Sequence, residues 1–151
     1  MRNFTLFGIV AWLLLFVSCS SKQRLSELSS SEKNLLTALN QFRAEEGKAE
    51  LLPVRNLTEL ARKDAQRRVR EGGGYVKLRE KTGYERMLTL GGRAYVDGNE
   101  GEQLLKFWKG NPVQAQWLRG SYAAVGVGTA QESGKVLRGV VLLGGYSADG
   151  I

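Results

Sequence analysis

Histidine is absent from this chain, and cysteine occurs once, at position 19. Without an imidazole there is no Ser-His-Asp triad, no Cys-His dyad, no imidazole general base and no histidine-ligated zinc or haem. A single cysteine excludes an intramolecular disulfide. Acidic residues are outnumbered, 15 against 22 Lys and Arg, for a net charge of +7. The 19 glycines follow no G-X-Y period. The triple glycine at 72–74 and the glycines at 98 and 101 lack the G-x-G-x-x-G pattern of a phosphate loop, so they read as turns. No serine lies in a G-x-S-x-G nucleophile elbow. What remains is 151 residues with a hydrophobic fraction of 42%, enough for one ordinary domain with a core.

Long hydrophobic runs are also scarce, and the one present follows Arg2. Residues 4–17 form an uncharged apolar run of fourteen residues ending at Ser18-Cys19. A transmembrane span needs roughly 20 residues, and polar Ser20-Ser21-Lys22-Gln23-Arg24 follows, so residues 1–18 read as an export signal. Phe16-Val17-Ser18-Cys19 resembles the bacterial lipobox, with phenylalanine where leucine is usual. The resemblance implies cleavage before Cys19, whose sulfur is diacylated and whose new amino terminus is acylated with a palmitate-like chain. Lipidation also removes a thiol that would be an oxidation liability in an exported protein. Residues 19–30, polar apart from Leu25 and Leu28, then read as the lipidated cysteine and a tether. The chain left after cleavage has 21 basic and 15 acidic residues, net +6, which favours anionic lipid or glycan near the anchor. Ser20 is not the aspartate that retains such lipoproteins in an inner membrane, so the expected place is the outer membrane or cell surface. Nucleic acid is not an expected partner there.

Within residues 31–147 the pattern is helices first and a hairpin last. Ser29-x-x-Glu32 has the form of a capping box, and Leu35, Ala38, Leu39 and Phe42 recur on one face until Gly47. Asn56-x-x-Glu59 repeats the capping logic for a second helix, with Leu57, Leu60, Ala61, Ala65 and Val69 inward and Gly72-Gly73-Gly74 at its end. Residues 75–78 and 93–96 suggest short strands, and 84–90 a short helix. Leu104, Leu105, Phe107 and Trp108 predict a helix stopping near Gly110-Asn111-Pro112, with one more turn over 113–118. Both tryptophans here, Trp108 and Trp117, read as core. Residues 123–129 and 136–143 are β-branched apolar runs separated by a turn-rich segment, a hairpin by composition. This order argues an α+β domain with an antiparallel sheet.

Leu39-Asn40-x-x-Arg43-x-x-x-Gly47, then Leu57-x-x-Leu60-Ala61-x-x-x-Ala65, Trp108 followed by Asn111-Pro112, and Ser121-Tyr122 leading into Val125-Gly-Val-Gly128, resemble the CAP superfamily, also called SCP-like. It includes cysteine-rich secretory proteins, insect venom antigens and plant pathogenesis-related proteins. The resemblance covers roughly residues 32–146 and implies a three-layer α-β-α sandwich, export, and a surface cleft. The departures fall on the cleft. Leu78, after Tyr75, stands where the family has a histidine; Gly92-Arg93-Ala94 stands where it has Glu-Asn-Ile; Asn111-Pro112-Val113-Gln114 replaces Ser-Pro-Gly-His. Two imidazoles and a carboxylate hold a metal or move protons, whereas leucine, glycine and glutamine do neither.

The resemblance therefore implies a degenerate, non-catalytic binding module at the cell envelope, with no cofactor and no metal. Its expected cleft, Tyr75, Leu78, Gly92, Arg93 and Gln114, suits an uncharged or lipid-like ligand, or is filled by packing side chains. Arg62, Lys63, Arg67, Arg68 and Arg70 form a basic helix face, read as solvated or as a contact for anionic envelope polymer. Another envelope protein is a further candidate partner. A histidine-independent hydrolase is the enzymatic alternative, using a Ser-Lys pair drawn from Ser121, Ser133 or Ser147, or a carboxylate dyad; Glu45-Glu46 reads instead as a solvated charge pair.

Overall fold

The computed structural model describes residues 22–73 and 82–146. The export signal, Cys19, the expected strand at 75–78 and Ser147 lie outside the described residues. None of the described helices is long and apolar enough to cross a membrane.

The first helix, α1 (Ser30–Glu45), starts where the capping box predicts: the Glu32 amide donates to Ser29 Oγ at 3.2 Å, and the Ser29 amide donates to Glu32 Oε2 at 2.9 Å. It buries Leu35, Leu36, Ala38, Leu39 and Phe42, and Gly47 at φ 68° turns the chain away. The second helix, α2 (Arg55–Glu71), departs from the expected start. No side chain caps it, and the Asn56 side chain accepts only from the adjacent Leu57 amide. Its entry is fixed from outside, because Val54 is extended and donates its N–H to the Val125 carbonyl at 2.9 Å. Gly72, at φ 82°, ends it.

Residues 84–90 are not helical. From Arg86 they belong to β1 (Arg86–Tyr95), which also takes in 93–95 of the expected strand at 93–96. Leu88, Leu90 and Ala94 turn to one face with period two, and pairing with a neighbouring strand decides between periods that a short apolar run leaves ambiguous. After β1 come α3 (Glu100–Lys109), α4 (Pro112–Leu118), β2 (Ala124–Ser133) and β3 (Val136–Gly145). Asn111 caps α4, accepting from the Val113 and Gln114 amides. The strands form an antiparallel sheet in the order β1-β3-β2, with Arg86 opposite Gly145 and Val127 opposite Val141.

The sheet is covered on both sides, so the chain is an α+β fold in three layers, α-β-α. On one face α1, α3 and α4 bury Leu39, Phe42, Leu104, Trp108 and Leu118 against Leu90, Val125, Val127, Val141 and Leu143. On the other, Leu57, Leu60, Ala61 and Ala65 of α2 meet Ala124, Val140 and Leu142. The α2 face of β2 reads Ala124, Gly126, Gly128, Ala130. A Cβ on Gly126 would lie 2.2 Å from the Leu57 carbonyl carbon, and one on Gly128 2.3 Å from that of Ala61. The helix backbone rests directly on the strand there, a separation only glycine permits.

The tether expected over 19–30 is corrected from Lys22 onward. The Gln23 amide donates to the Pro53 carbonyl at 2.9 Å, Lys22 bridges to Val54, and Leu28 is 4% exposed in the larger core. Leucines spaced by polar residues read as linker in one dimension, yet one of them has a hole to fill.

Candidate functional site

Among the described residues, Gly92, Arg93 and Gln114 of the expected cleft do not come together. Tyr75 and Leu78 lie outside the described residues. Gly92 and Arg93 are successive on β1 and so face opposite sides of the sheet. Gly92 lies beneath α3: a Cβ there would sit 2.9 Å from Leu104 Cδ2, 3.4 Å from Phe107 Cδ1 and 3.6 Å from Trp108 Nε1. Trp108 is fully buried, and its indole N–H donates to the Gly91 carbonyl at 3.2 Å. Arg93 projects from the other face, exposed, and its guanidinium grips the Glu132 carboxylate at 2.9 and 2.7 Å. Arg138, directly across the ladder, shares that carboxylate at 2.7 Å. Gln114 sits on α4, in neither place.

On the basic helix face, three of the five cations pair with carboxylates inside the molecule. Arg62 donates through Nε and Nη2 to the buried Glu32 carboxylate, both at 2.7 Å, and through Nη2 to the Glu27 carbonyl. Burial pushes the Glu32 carboxyl up, but hydrogen bonds from Arg62 and the Ser29 amide outweigh it and hold the group below its usual range. The same hydrogen bond raises Arg62. Arg67 and Arg68 divide Asp64, at 2.7 Å to Oδ1 and 2.8 Å to Oδ2. Arg68 then lies flat on β1, where a Cβ on Gly91 would strike its Nη1. Lys63 and Arg70 are exposed. Charge repeating along a helix predicts a basic stripe, but the carboxylates that quench this one come from α1 and from one turn earlier in α2.

Among the described residues every lysine is exposed, so none has the desolvated setting that a Ser-Lys pair needs. Ser30 and Lys33, which have S-x-x-K spacing, lie on the exposed first turn of α1. Glu45 and Glu46 are solvent-facing as expected, and Glu46 pairs with Arg119 at 2.7 Å. No group of three or more acidic, cysteine or histidine side chains suited to a metal occurs among the described residues.

A different cavity, of about 520 Å³, opens where the end of α4 meets the start of β1. Of the residues that carry the family resemblance, Ser121 and Tyr122 line it, while Asn40 and Arg43 hold the neighbouring loops. Asn40 brackets Leu51, donating to its carbonyl at 3.0 Å and accepting from its amide at 2.9 Å. Arg43, 2% exposed, has no carboxylate; it donates to the carbonyls of Ala49, Leu118 and Gly120 at 3.0, 2.9 and 2.8 Å. It therefore ties the loop after α1 to the loop after α4. Tyr122 closes the floor, its hydroxyl donating to the Trp117 carbonyl, and burial raises its pKa. Arg86 stacks over the same ring, 5.5 Å from its centroid, and donates to the Ser121 carbonyl at 3.3 Å. Lys48 and Trp117 line the opening. Trp117 is thus half core and half cavity wall, unlike the fully buried Trp108. Ser121-Tyr122 was visible in the sequence as a motif, but nothing local to Lys48 or Arg86 marks them as neighbours.

No family model matches the chain, and no curated protein matches it. Among solved structures the fold has a counterpart. It is similar to that of an outer surface protein from Borrelia burgdorferi. The superposition has a TM-score of 0.60 at 16% identity, covering 85% of this chain and 99% of that one. At that identity the likeness is one of fold, and it extends over nearly the whole of the Borrelia chain.

Proposed function

We propose that this chain is a non-catalytic binding or interaction module of the bacterial cell envelope, a histidine-free member of the CAP superfamily exported and held at the membrane by lipid on Cys19. The observation that carries the reading is the packing at Gly92. Where the resemblance places the cleft carboxylate, a Cβ would already lie 2.9 Å from Leu104 Cδ2 and in contact with Phe107 and Trp108, so a longer acidic side chain would have to displace α3 side chains, and no imidazole exists to complete a metal or proton-transfer site. The Borrelia protein of similar fold is named as an outer surface protein, which is consistent with a place at the cell surface. The self-paired arginines of α2 speak against that helix as the docking face for anionic polymer, and the exposed lysines speak against a Ser-Lys hydrolase.

Intact-mass spectrometry on the chain recovered from bacterial membranes tests this, with a native spectrum recorded in parallel. The expected mass begins at Cys19 and includes the acyl groups, the Cys19→Ser variant moves to the soluble fraction, and the native spectrum shows no stoichiometric metal. A soluble wild-type chain with a free Cys19 thiol, or one metal ion per chain, overturns the reading.

A further inference from the structure

We propose that the cavity between the end of α4 and the start of β1 binds a phosphate ester, with Lys48 and Arg86 as its cationic contacts and Trp117 as the wall for the ester's carbon skeleton. This deepens the reading of the chain as an envelope binding module and rests on that reading only for the ligand's source.

Three features carry the proposal. The first is unspent positive charge. Unlike Arg62, Arg67 and Arg68 of α2, Lys48 makes no ammonium hydrogen bond or ion pair among the described residues, although, after the Arg119 hydrogen bond, its charge helps to lower the Glu46 carboxyl, and Arg86 meets only a carbonyl and an aromatic ring. No carboxylate lines the cavity; Glu46, which feels the charge of Lys48, is hydrogen-bonded to Arg119. The second is the donor set. Lys48, Arg86, Trp117 and Ser121 come from three segments of the chain, and residues carrying ammonium, guanidinium, indole and hydroxyl groups line one space. Arg86 cannot present a full fork, because its Nη2 faces the Ser121 carbonyl and its Nε is buried with no partner. Phosphate accepts a fork as carboxylate does, but its tetrahedral oxygens also let single donors converge from more directions than a planar carboxylate allows, and a lysine serves it as a point charge. The third is size and shape: about 520 Å³, with Leu88 and Trp117 as apolar wall, suits a small alcohol esterified to phosphate better than a bare ion.

The ester's source is a free metabolite or a phospholipid headgroup, and the two share this chemistry. The full chain in neutral detergent is titrated with sn-glycerol 1-phosphate and, separately, with phosphatidylglycerol or phosphatidylcholine in mixed micelles, while tryptophan emission is followed. The titrations use a Trp12→Phe background and Trp108 is sealed in the core, so a change on binding reports Trp117. Saturation by glycerol phosphate identifies a free ester; saturation by phosphatidylglycerol alone identifies a headgroup. Lys48→Gln and Arg86→Gln each weaken binding about tenfold, the loss of one charge-assisted contact. Arg70→Gln leaves binding unchanged, and Trp117→Phe abolishes the optical signal. Lys48 is exposed and makes no hydrogen bond or ion pair among the described residues, so its variant keeps the fold and decides the matter should Arg86→Gln unfold. No saturation by either phosphate probe up to about 10 mM, equal binding of phosphatidylcholine, or equal weakening by Arg70→Gln overturns the proposal. Cys19 acylation is measured independently and can fail while the cavity still binds.

Discussion

Gly126 and Gly128 show how little room a single position can have. A methyl group on Gly126 meets backbone of α2, which no rotamer can move aside, so Gly126→Ala forces helix and strand apart. The expected cost is about 3 kcal/mol, the upper end for overpacking, read as a fall in the urea midpoint; an unchanged midpoint would show that α2 does not rest on β2. Glu32 has two duties, capping α1 and holding Arg62, and Glu32→Gln separates them, since glutamine still serves the capping box. Arg62 keeps 34% of its side chain in solvent, so the lost pair is discounted to about 1 kcal/mol at neutral pH. The Glu32 carboxyl is held below its usual value of 4.5 when folded. Its contribution is therefore complete above that value and disappears as pH falls through the lower, folded pKa. Wild type and variant should converge in stability on acidification, and a gap that persists at low pH would assign the effect to packing. The Leu39-Asn-x-x-Arg43 motif is legible in the sequence only as a resemblance. Its physical content, two polar side chains stapling loops through carbonyl and amide contacts, depends on where residues 49–51 and 118–120 end up.

At the scale of elements, local signals were enough wherever the chain caps itself. The Ser29-Glu32 box, the Asn111 cap and the turn between β2 and β3 all join residues a few positions apart, and each element they delimit follows the sequence pattern. The misreadings come from elements fixed by distant partners. Residues 84–90 carry an apolar pattern too short to separate helix from strand, and pairing with β3 chose strand. The start of α2 was shifted by a bridge to β2 rather than by its own Asn56. Residues 22–28 read as tether but are docked, and Leu28 is the anchor. Leu28→Ala should cost about 2–3 kcal/mol and expose residues 22–28 to limited proteolysis. A variant as stable as wild type would return this segment to the role of a linker.

For the molecule as a whole, the two cores are coupled through the strand they share. Val140 and Leu142 of β3 face α2, while Val141 and Leu143 face α1, α3 and α4. Neither layer can be removed without exposing the sheet to the other's loss, so unfolding in urea should be a single event. Tryptophan emission, which reports the α3 and α4 side, and far-ultraviolet circular dichroism, which reports all helices, are expected to superimpose; a separate early loss of helix would mean that α2 unfolds on its own. The sequence alone determined what chemistry is excluded, because a missing histidine is missing from every fold, and it determined the helices and the hairpin that carry their own caps and turns. Tertiary structure alone decided which charges remain available. Arginines adjacent on a helix are quenched by Glu32 and Asp64, while Lys48 and Arg86, 38 positions apart in the sequence, face one cavity. The reason is that Coulombic pairing and packing depend on distances in space, which strand register and helix placement set, whereas composition and periodicity record only distances along the chain.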